Sequence, residues 1–223
     1  MNTTSSSTST NGNEVVKPSI LKMIWSPDEQ LRNIKSNPIF GKALLLLVIL
    51  GLLNSCFIIF NVDPVKILQG KEIPHGTEGF IKGFLIVISV FTAIVTPIIG
   101  SLISSIVHYI FAKIKKCDVT FKQLYSMNVH ILIIGILGGL FNSILIFITD
   151  GDPTKMLTSF GSMFNTGGVL GAILSKIEFF GIWQIILVAI GLQKVGNFPK
   201  GYAWFAAIFF FAVSTLYAVF RLI

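Results

Sequence analysis

The residues that could do chemistry are few in this chain, and their spacing fits no catalytic or metal-binding pattern. The three histidines, His75, His108 and His130, are far apart, and none belongs to the paired-histidine motif of a zinc enzyme. The cysteines, Cys56 and Cys117, are not at metal-ligand spacing, and no glycine-rich phosphate loop is present. No motif pairs a serine with a base that would activate it as a nucleophile. We therefore expect no enzyme activity, no metal and no cofactor.

The most informative residues are Lys176 and Glu178, because both fall inside an apolar run at about residues 169–192. Ionisable residues at such depth in a membrane are rare and usually functional. The fourteen Leu, Ile, Val and Phe residues of the run favour insertion by about 6 kcal/mol, whereas two charges near its centre cost about 5–7 kcal/mol. Since these energies nearly cancel, we expect neighbouring helices to hold this segment, with at least one charge turned into the bundle. The Gly167–Gly168 pair predicts either a break into a half-helix or close helix packing.

Further polar residues are expected at the depth of these two charges. At 1.5 Å per residue, Lys176 and Glu178 lie about 11 Å and about 14 Å below the outer end of their run. We therefore predict a polar layer in the outer half of the bundle, and its other members are Asn54, Ser55, Thr92, Thr96, Asn142 and Ser143. Two interpretations of this layer stay open: hydrogen bonding between helices, and a site for a solute or a proton.

The composition is that of a membrane protein. Of the 223 residues, 53% are hydrophobic and 12% are charged, and the mean hydropathy is +0.81. A soluble domain covers its surface with roughly 25–35% charged residues, so this chain must contact lipid over most of its circumference. This composition excludes soluble enzymes and nucleic-acid-binding domains. The net charge of +7 does not indicate nucleic acid, because it comes from basic residues in short loops between apolar runs.

Five apolar runs are each long enough, or nearly so, to cross roughly 30 Å of hydrocarbon as a helix. We therefore predict an all-α integral membrane protein whose five-helix membrane domain covers residues 43–223. The second run carries Pro97 and Gly100 and is long enough that it should kink or tilt. The predicted spans are about residues 43–60, 84–112, 130–149, 169–192 and 202–220.

The distribution of Lys and Arg among the loops predicts the orientation. Eleven of these residues lie in segments on the side of the amino terminus, and five lie on the opposite side. Since cytoplasmic loops carry the excess of positive charge, we expect the amino terminus inside and the carboxyl terminus outside. The basic loop after the second run contains Lys113, Lys115 and Lys116, which we expect to face anionic lipid or a cytoplasmic protein partner.

Two segments precede the first span. Residues 1–16 are almost entirely Ser, Thr and Asn, and such a segment is expected to be a disordered tail. Residues 17–42 form an amphipathic juxtamembrane segment in which Ile24 and Trp25 belong to a helical spacing of apolar residues. We expect this face to lie on the bilayer surface with Trp25 at headgroup depth; the alternative is a short loop. A further helix should begin with a cap at Ser26 and end before Pro38.

Several stretches, in this order, resemble the Yip1 family of multi-span membrane proteins. They are Ser26-Pro27 with the run from Asp28 to Lys35 and Asn37-Pro38, then Asp118 to Tyr125, then Gly181-Ile182-Trp183-Gln184 with Gly191 to Lys194, and then Lys200 to Ala203. The resemblance covers about residues 25–220 and implies an inside amino terminus followed by five helices. Eukaryotic members are associated with membrane trafficking and small GTPases. Because their Asp-Leu-Tyr-Gly-Pro motif does not occur here, the chain is more similar to the bacterial branch, which implies a bacterial plasma membrane.

Two functions from different classes agree with these patterns. The first is a non-catalytic scaffold or membrane-organising protein that presents its basic loops and amphipathic segment to lipid or to a cytoplasmic partner. The second is a small permease or lipid carrier that uses Lys176, Glu178 and the polar layer. Neither hypothesis involves nucleic acid, and the patterns predict no particular oligomeric state.

Overall fold

The computed structural model describes residues 16–61, 76–152, 155–164 and 168–220. Within these ranges the chain is helical, and the only strand-like feature is an isolated bridge between Ser159 and Glu178. His75 and residues 1–15 of the predicted tail lie outside the described residues. The elements are a 3₁₀ turn η1 (Leu21–Met23), α1 (Pro27–Ser36), α2 (Gly41–Asn61), α3 (Glu78–Ile114), α4 (Phe121–Thr149), α5 (Phe160–Phe164), α6 (Gly168–Leu174), α7 (Phe179–Lys194) and α8 (Lys200–Phe220).

Three of the described helices are long and apolar enough to cross a membrane, and these are α2 over Gly41–Ile59, α3 and α4. Phe179–Lys194 and Lys200–Val213, in α7 and α8, are shorter apolar stretches. The prediction of an all-helical membrane protein is therefore confirmed. Its finer part, five spans with the termini on opposite sides, stays a prediction.

Three connections between helices meet at one end of the bundle, which we call the inner end because the loop charges predict that it is cytoplasmic. Ser126 Oγ donates to the carbonyl of Ile39 at 2.9 Å, which joins α4 to the segment before α2. The side-chain amide of Asn197 donates to the carbonyl of Asp118 at 2.9 Å, which joins the α7–α8 connection to the α3–α4 connection. Neighbouring long helices along the chain are consequently antiparallel.

Helix α4 lies at the centre of the bundle and packs against α2, α3 and α7. It begins with a capping box: Thr120 Oγ1 accepts a hydrogen bond from the Gln123 backbone N–H, and the Gln123 side chain accepts one from the Thr120 backbone N–H. Six consecutive residues, 126–131, are buried. A helix that is buried all round in this way is part of a protein core rather than a lipid-facing surface.

The fourth apolar run differs from its prediction, because it forms two helices instead of one continuous span over residues 169–192. Gly168 has a φ of +64° and begins α6, and the run is interrupted at residues 175–178, which include the two charged residues. Since insertion and charge energies nearly cancel in this run, a continuous apolar helix over its whole length gains little. The interrupted backbone is still paired, for the N–H of Phe160 donates to the carbonyl of Ile177 at 3.0 Å.

Helix α8 packs beside α6 and α7 and meets α3 near the inner end. The ring of Phe111 in α3 contacts the rings of Tyr202, Phe205 and Phe209 edge to face, with centroids 5.4–5.8 Å apart. The hydroxyl of Tyr202 donates to the carbonyl of Phe111 at 3.1 Å. Aromatic edge-to-face contacts stabilise a pair beyond the area they bury, so this cluster joins α3 to α8 at the inner end.

Candidate functional site

Part of the predicted polar layer forms hydrogen bonds between α2, α3 and α4. Ser143 Oγ donates to Asn54 Oδ1 at 2.7 Å and joins α4 to α2. Ser55 Oγ donates to the carbonyl of Ser89 at 3.0 Å and joins α2 to α3. Hydrogen bonds of this kind contribute about 0.6–2 kcal/mol each inside a membrane protein. At these positions the polar groups hold helices together.

The remaining members of the layer that lie in α3 and α4 have different surroundings. Thr92 and Thr96 line a cavity of about 250 Å³ between α2, α3 and α4. Thr92 Oγ1 donates to the carbonyl of Ile88 in its own helix at 2.9 Å. Asn142 Oδ1 accepts from the backbone N–H of Leu157 at 2.6 Å, which ties α4 to the segment before α5. Among the described residues, no charged side chain lines this cavity.

Within the described ranges, Lys176 and Glu178 form no hydrogen bond with this layer, and the prediction that both lie within one continuous helix is wrong. Lys176 is exposed in the turn between α6 and α7. Glu178 is the N-cap of α7, where its carboxylate accepts from the backbone N–H of Phe180 at 3.1 Å and from Thr158 Oγ1 at 3.5 Å. A carboxylate at this position is stabilised by the helix dipole and satisfies free N–H groups. The contacts of Glu178 therefore account for the start of α7.

A second polar cluster, absent from the predicted sites, lies nearer the inner end between α3 and α4. The side-chain amide of Asn128 donates to Ser105 Oγ and to the carbonyl of Leu124, both at 2.9 Å, and lies 3.3 Å from His108 Nδ1. Ser105 Oγ donates in turn to the carbonyl of Ser101 at 2.6 Å. Ser101, Ser105, His108 and Asn128 are all buried. Such a network gives α3 and α4 one specific register.

The pattern that could have revealed this cluster is a stripe of small and polar residues along α3. Its buried positions recur every three or four residues and are Ala93, Pro97, Ser101, Ser105, His108 and Ala112. This period indicates one face of a helix. Average hydropathy does not detect the stripe, because a few Ser and His residues change the mean of a 37-residue apolar helix very little.

The face of α3 that bears this cluster also borders a second cavity, of about 370 Å³, lined by α3, α4, α7 and α8. Ser101, Ser104 and His108 line it from α3, and Gln184 lines it from α7. The cavity lies beside α4 on the α7 and α8 side, whereas the smaller cavity lies on the α2 side. The position of Gln184 deep in an apolar run indicates a hydrogen-bonding residue between helices, but it does not predict that Gln184 lines the same cavity as Ser104.

Histidines and cysteines form no metal site in the part of the chain that the structure describes, where no three His, Cys, Asp or Glu side chains cluster. His130 is buried, and its Nδ1 lies 2.7 Å from the carbonyl of Ser126 in the same helix. Cys56 and Cys117 are free thiols. Burial raises the pKa of the Cys117 thiol, an effect that the nearby positive charge of Lys115 partly opposes.

Residues 16–41 form an ordered structure over the inner end, which we call the inner cap. Its helix α1 packs against α4 and α7, and the side chains of Leu31 and Ile34 are fully buried in the core. Asp28 of α1 forms an ion pair with Lys194 of α7. A ten-residue helix is marginal on its own in water, so these tertiary contacts stabilise α1.

The inner cap differs from the predicted surface helix in how it divides its apolar residues. Met23 is buried, and Ile24 is half-buried against the core. Leu21 and Trp25 project outward, with 50% and 65% of their surface exposed. Ser26 occupies the N-cap position of α1 but makes no side-chain capping hydrogen bond. Of the two residues expected at the bilayer, Trp25 is the more exposed, and Ile24 packs partly against the core.

The basic loop Lys113–Lys116 lies at the same end as the inner cap, and its side chains are exposed. Lys113 Nζ lies 4.9 Å from the centre of the Tyr109 ring, and Lys115 Nζ lies 5.2 Å from the centre of the Tyr202 ring. Cation–π contacts of this kind favour one position of a flexible side chain. The charges of this loop are therefore held close to the helix ends.

Comparisons with known proteins found a matching family and a similar membrane protein. The model of a family described as the Yip1 domain matches residues 21–222. The chain is similar to "Membrane protein YknW" of Bacillus subtilis (strain 168), with 27% identity over 213 residues, which are 94% of this chain and 92% of that protein. No solved structure matches the chain.

Proposed function

Because the chain belongs to the Yip1 domain family, whose model covers residues 21–222, we propose that it is a non-catalytic scaffold of the bacterial plasma membrane. In this proposal five helices cross the bilayer, and the inner cap lies in the cytoplasm. The scaffold gathers anionic lipid around its inner end and so organises the surrounding leaflet. The inner cap and the basic loop Lys113–Lys116 form the lipid-binding surface.

The observation that carries this proposal is the charge of the inner end combined with the ordered inner cap. Eleven Lys and Arg residues of the described ranges lie there, against three acidic residues of those ranges, Asp28, Glu29 and Asp118. Each basic residue near an anionic membrane surface contributes about 1 kcal/mol to attraction. Leu21 and Trp25 project from the same segment, and Trp is enriched at the depth of lipid headgroups.

The interior of the bundle favours a scaffold over a carrier. Asn54, Ser55 and Ser143 hydrogen-bond to neighbouring helices, and Lys176 is exposed in a turn. No Lys, Arg, Asp or Glu of the described residues lines either cavity, and His108, which lines the larger one, is buried with Nδ1 3.3 Å from the Asn128 amide. Transport of an ion or a charged solute ordinarily uses ionisable groups that face the bundle interior, so the second hypothesis has less support.

Energy transfer from Trp25 to labelled lipid tests the proposal. Trp183 and Trp204 are changed to Phe, and the protein is reconstituted in phosphatidylcholine liposomes that contain a minor fraction of phosphatidylglycerol. A pyrene label is carried by one lipid or the other at the same mole fraction. We expect more transfer to labelled phosphatidylglycerol, and we expect the excess to decline at high salt because exposed charges are screened.

Two variants with the same change in net charge distinguish an effect of the inner surface on lipid preference from an effect of net charge alone. In the first, Lys113, Lys115 and Lys116 are changed to Gln, and we expect the preference for phosphatidylglycerol to fall. In the second, Lys82, Lys155 and Lys176, which are exposed elsewhere, are changed to Gln, and we expect the preference to remain. Equal transfer to both lipids, or equal loss in both variants, would refute the proposal.

A further inference from the structure

The larger cavity has apolar walls and several polar groups, as a ligand pocket does. Its volume of about 370 Å³ lies within the range of roughly 300–1,000 Å³ that is typical of small-molecule sites. Ile131, Leu132, Ile185, Val188 and Phe211 supply much of the apolar surface. The polar side chains in its lining come from α3, α4 and α7, and they lie at different depths along the bundle.

Two of these polar groups have hydrogen-bonding capacity that no described residue uses. Ser101 Oγ donates to the carbonyl of Pro97 at 2.6 Å, and the Asn128 amide is bonded within the cluster described above. By contrast, the hydroxyl of Ser104 and the carboxamide of Gln184 form no hydrogen bond with any residue in the described ranges. Both are half-buried in the cavity wall. Polar groups in a largely apolar wall favour a ligand that supplies their missing partners.

The charge of the lining restricts the ligand to an uncharged molecule. No Lys, Arg, Asp or Glu is among the described residues that surround the cavity, and their one titratable side chain, His108, is buried with Nδ1 3.3 Å from the Asn128 amide. A phosphate or carboxylate brought into such a site would lose its hydration without gaining a counter-charge, which costs several kcal/mol. The unused hydroxyl and carboxamide suit the hydroxyl and carbonyl oxygens of a neutral lipid instead.

The arrangement of the helices that flank the cavity indicates that a ligand enters it from the bilayer. Helices α3 and α8 meet at the inner end through Phe111 and its aromatic neighbours. Farther from that end the cavity lies between them, and a Cβ atom added to Gly100 would find no other atom within 4 Å. The cavity is therefore open beside Gly100, on the side where α3 and α8 face lipid.

We propose that this cavity binds one uncharged lipid with hydroxyl and carbonyl oxygens, of the diacylglycerol class. Ser104 and Gln184 hydrogen-bond to the oxygens of the lipid, and the part of its chains next to these oxygens lies against Ile185 and Phe211. Gly135 provides room for this arrangement, because the carboxamide of Gln184 occupies the place where a side chain at position 135 would begin. This site is separate from the anionic lipid surface of the inner cap and does not depend on it.

Photolabelling of the full chain tests the site. The protein in phosphatidylcholine nanodiscs is exposed to a dioleoylglycerol that carries a diazirine on one chain, and the labelled peptides are mapped by mass spectrometry. We expect labels on the lining segments of α3, α7 or α8. Unlabelled dioleoylglycerol should compete, whereas phosphatidylglycerol with the same chains should not.

Two variants identify the cavity as the place of binding. Gly100→Phe fills the open side and should reduce labelling at least ten-fold, while Gly83→Phe, at an equally open position of the same helix outside the cavity, should leave it unchanged. Gln184→Leu keeps the bulk but removes one hydrogen bond, so affinity should fall about two- to ten-fold. Thermal unfolding of each variant verifies that it is folded.

The outcomes distinguish the proposal from its alternatives. Labelling that is unchanged in Gly100→Phe overturns it, even if Gln184→Leu is unstable. Equal competition by phosphatidylglycerol refutes an uncharged ligand. Stronger competition by an isoprenoid alcohol or quinone than by dioleoylglycerol would overturn the assignment to the diacylglycerol class.

Discussion

Substitution of Gly138 by Ala tests the close packing of α4 against α7, on which the centre of the bundle depends. A Cβ atom at position 138 would lie 2.6 Å from Cβ and 2.7 Å from Cγ of Phe180. Ordinary contacts of this kind begin at 3.4 Å, and Cβ of Phe180 cannot move without its backbone. The two helices would therefore have to separate by about 0.8 Å at this point.

The adjacent residue Gly139 is a matched control, because its Cβ would have only the Asn54 amide nitrogen as a neighbour, at 3.8 Å. Exchange of Gly for Ala within a helix stabilises it by about 0.5–1 kcal/mol, and both variants gain this amount. Overpacking costs about 1–3 kcal/mol and applies only at Gly138. Since the helix gain cancels in the comparison, Gly138→Ala should be about 1–3 kcal/mol less stable than Gly139→Ala.

Reversible unfolding in mixed detergent micelles, monitored by helical circular dichroism, measures this difference. We expect Gly139→Ala to be equal to or more stable than the parent protein. Gly138→Ala should unfold at a lower denaturing fraction of detergent. If both variants were stabilised to the same extent, α4 and α7 would not approach each other at Phe180, and the packing described above would be wrong.

Two further predictions concern the inner end. Leu31→Ala should destabilise the protein by about 2–5 kcal/mol because the side chain is fully buried. Leu21→Ala should have little effect because its side chain is half exposed. Equal effects of the two substitutions in thermal unfolding would mean that α1 does not pack on the bundle. In a Cys56→Ser variant, an impermeant maleimide should label Cys117 in inside-out vesicles but not in intact cells. The labelling rate of Cys117 should continue to rise above the pH at which the labelling rate of an ordinary exposed thiol becomes constant, because a raised pKa means that the thiolate forms only at higher pH. Labelling of Cys117 in intact cells would mean that the predicted orientation of the protein is wrong.

Several features of the helices could be predicted because they depend on chemistry that is local in the chain. The first span was predicted at residues 43–60, and α2 covers Gly41–Asn61. Helix α1 ends at Ser36, shortly before Pro38, because a proline restricts the residue before it. The predicted capping bond of Ser26 does not form, which shows that a favourable residue type alone does not ensure that its side chain is used.

The interruption of the fourth run was only half foreseeable. The balance between apolar residues and two charges predicted that lipid alone would not hold this segment. It did not predict a turn, because a helix can end within an apolar run only if its free backbone groups find partners. Those partners, the Glu178 carboxylate on the N–H of Phe180 and the Phe160 N–H on the carbonyl of Ile177, include a segment that is distant in sequence.

The sequence by itself determined that the protein is helical, that it belongs in a membrane, and how far along α2, α3 and α4 each polar residue lies. Depth follows from a rise of about 1.5 Å per residue and needs no knowledge of neighbours. The tertiary structure alone decided that Asn54 meets Ser143, that Thr92 bonds to its own helix, and that Ser104 and Gln184 face one cavity. These contacts depend on the rotation of each helix about its axis and on its neighbours, which are set by the packing of all helices together.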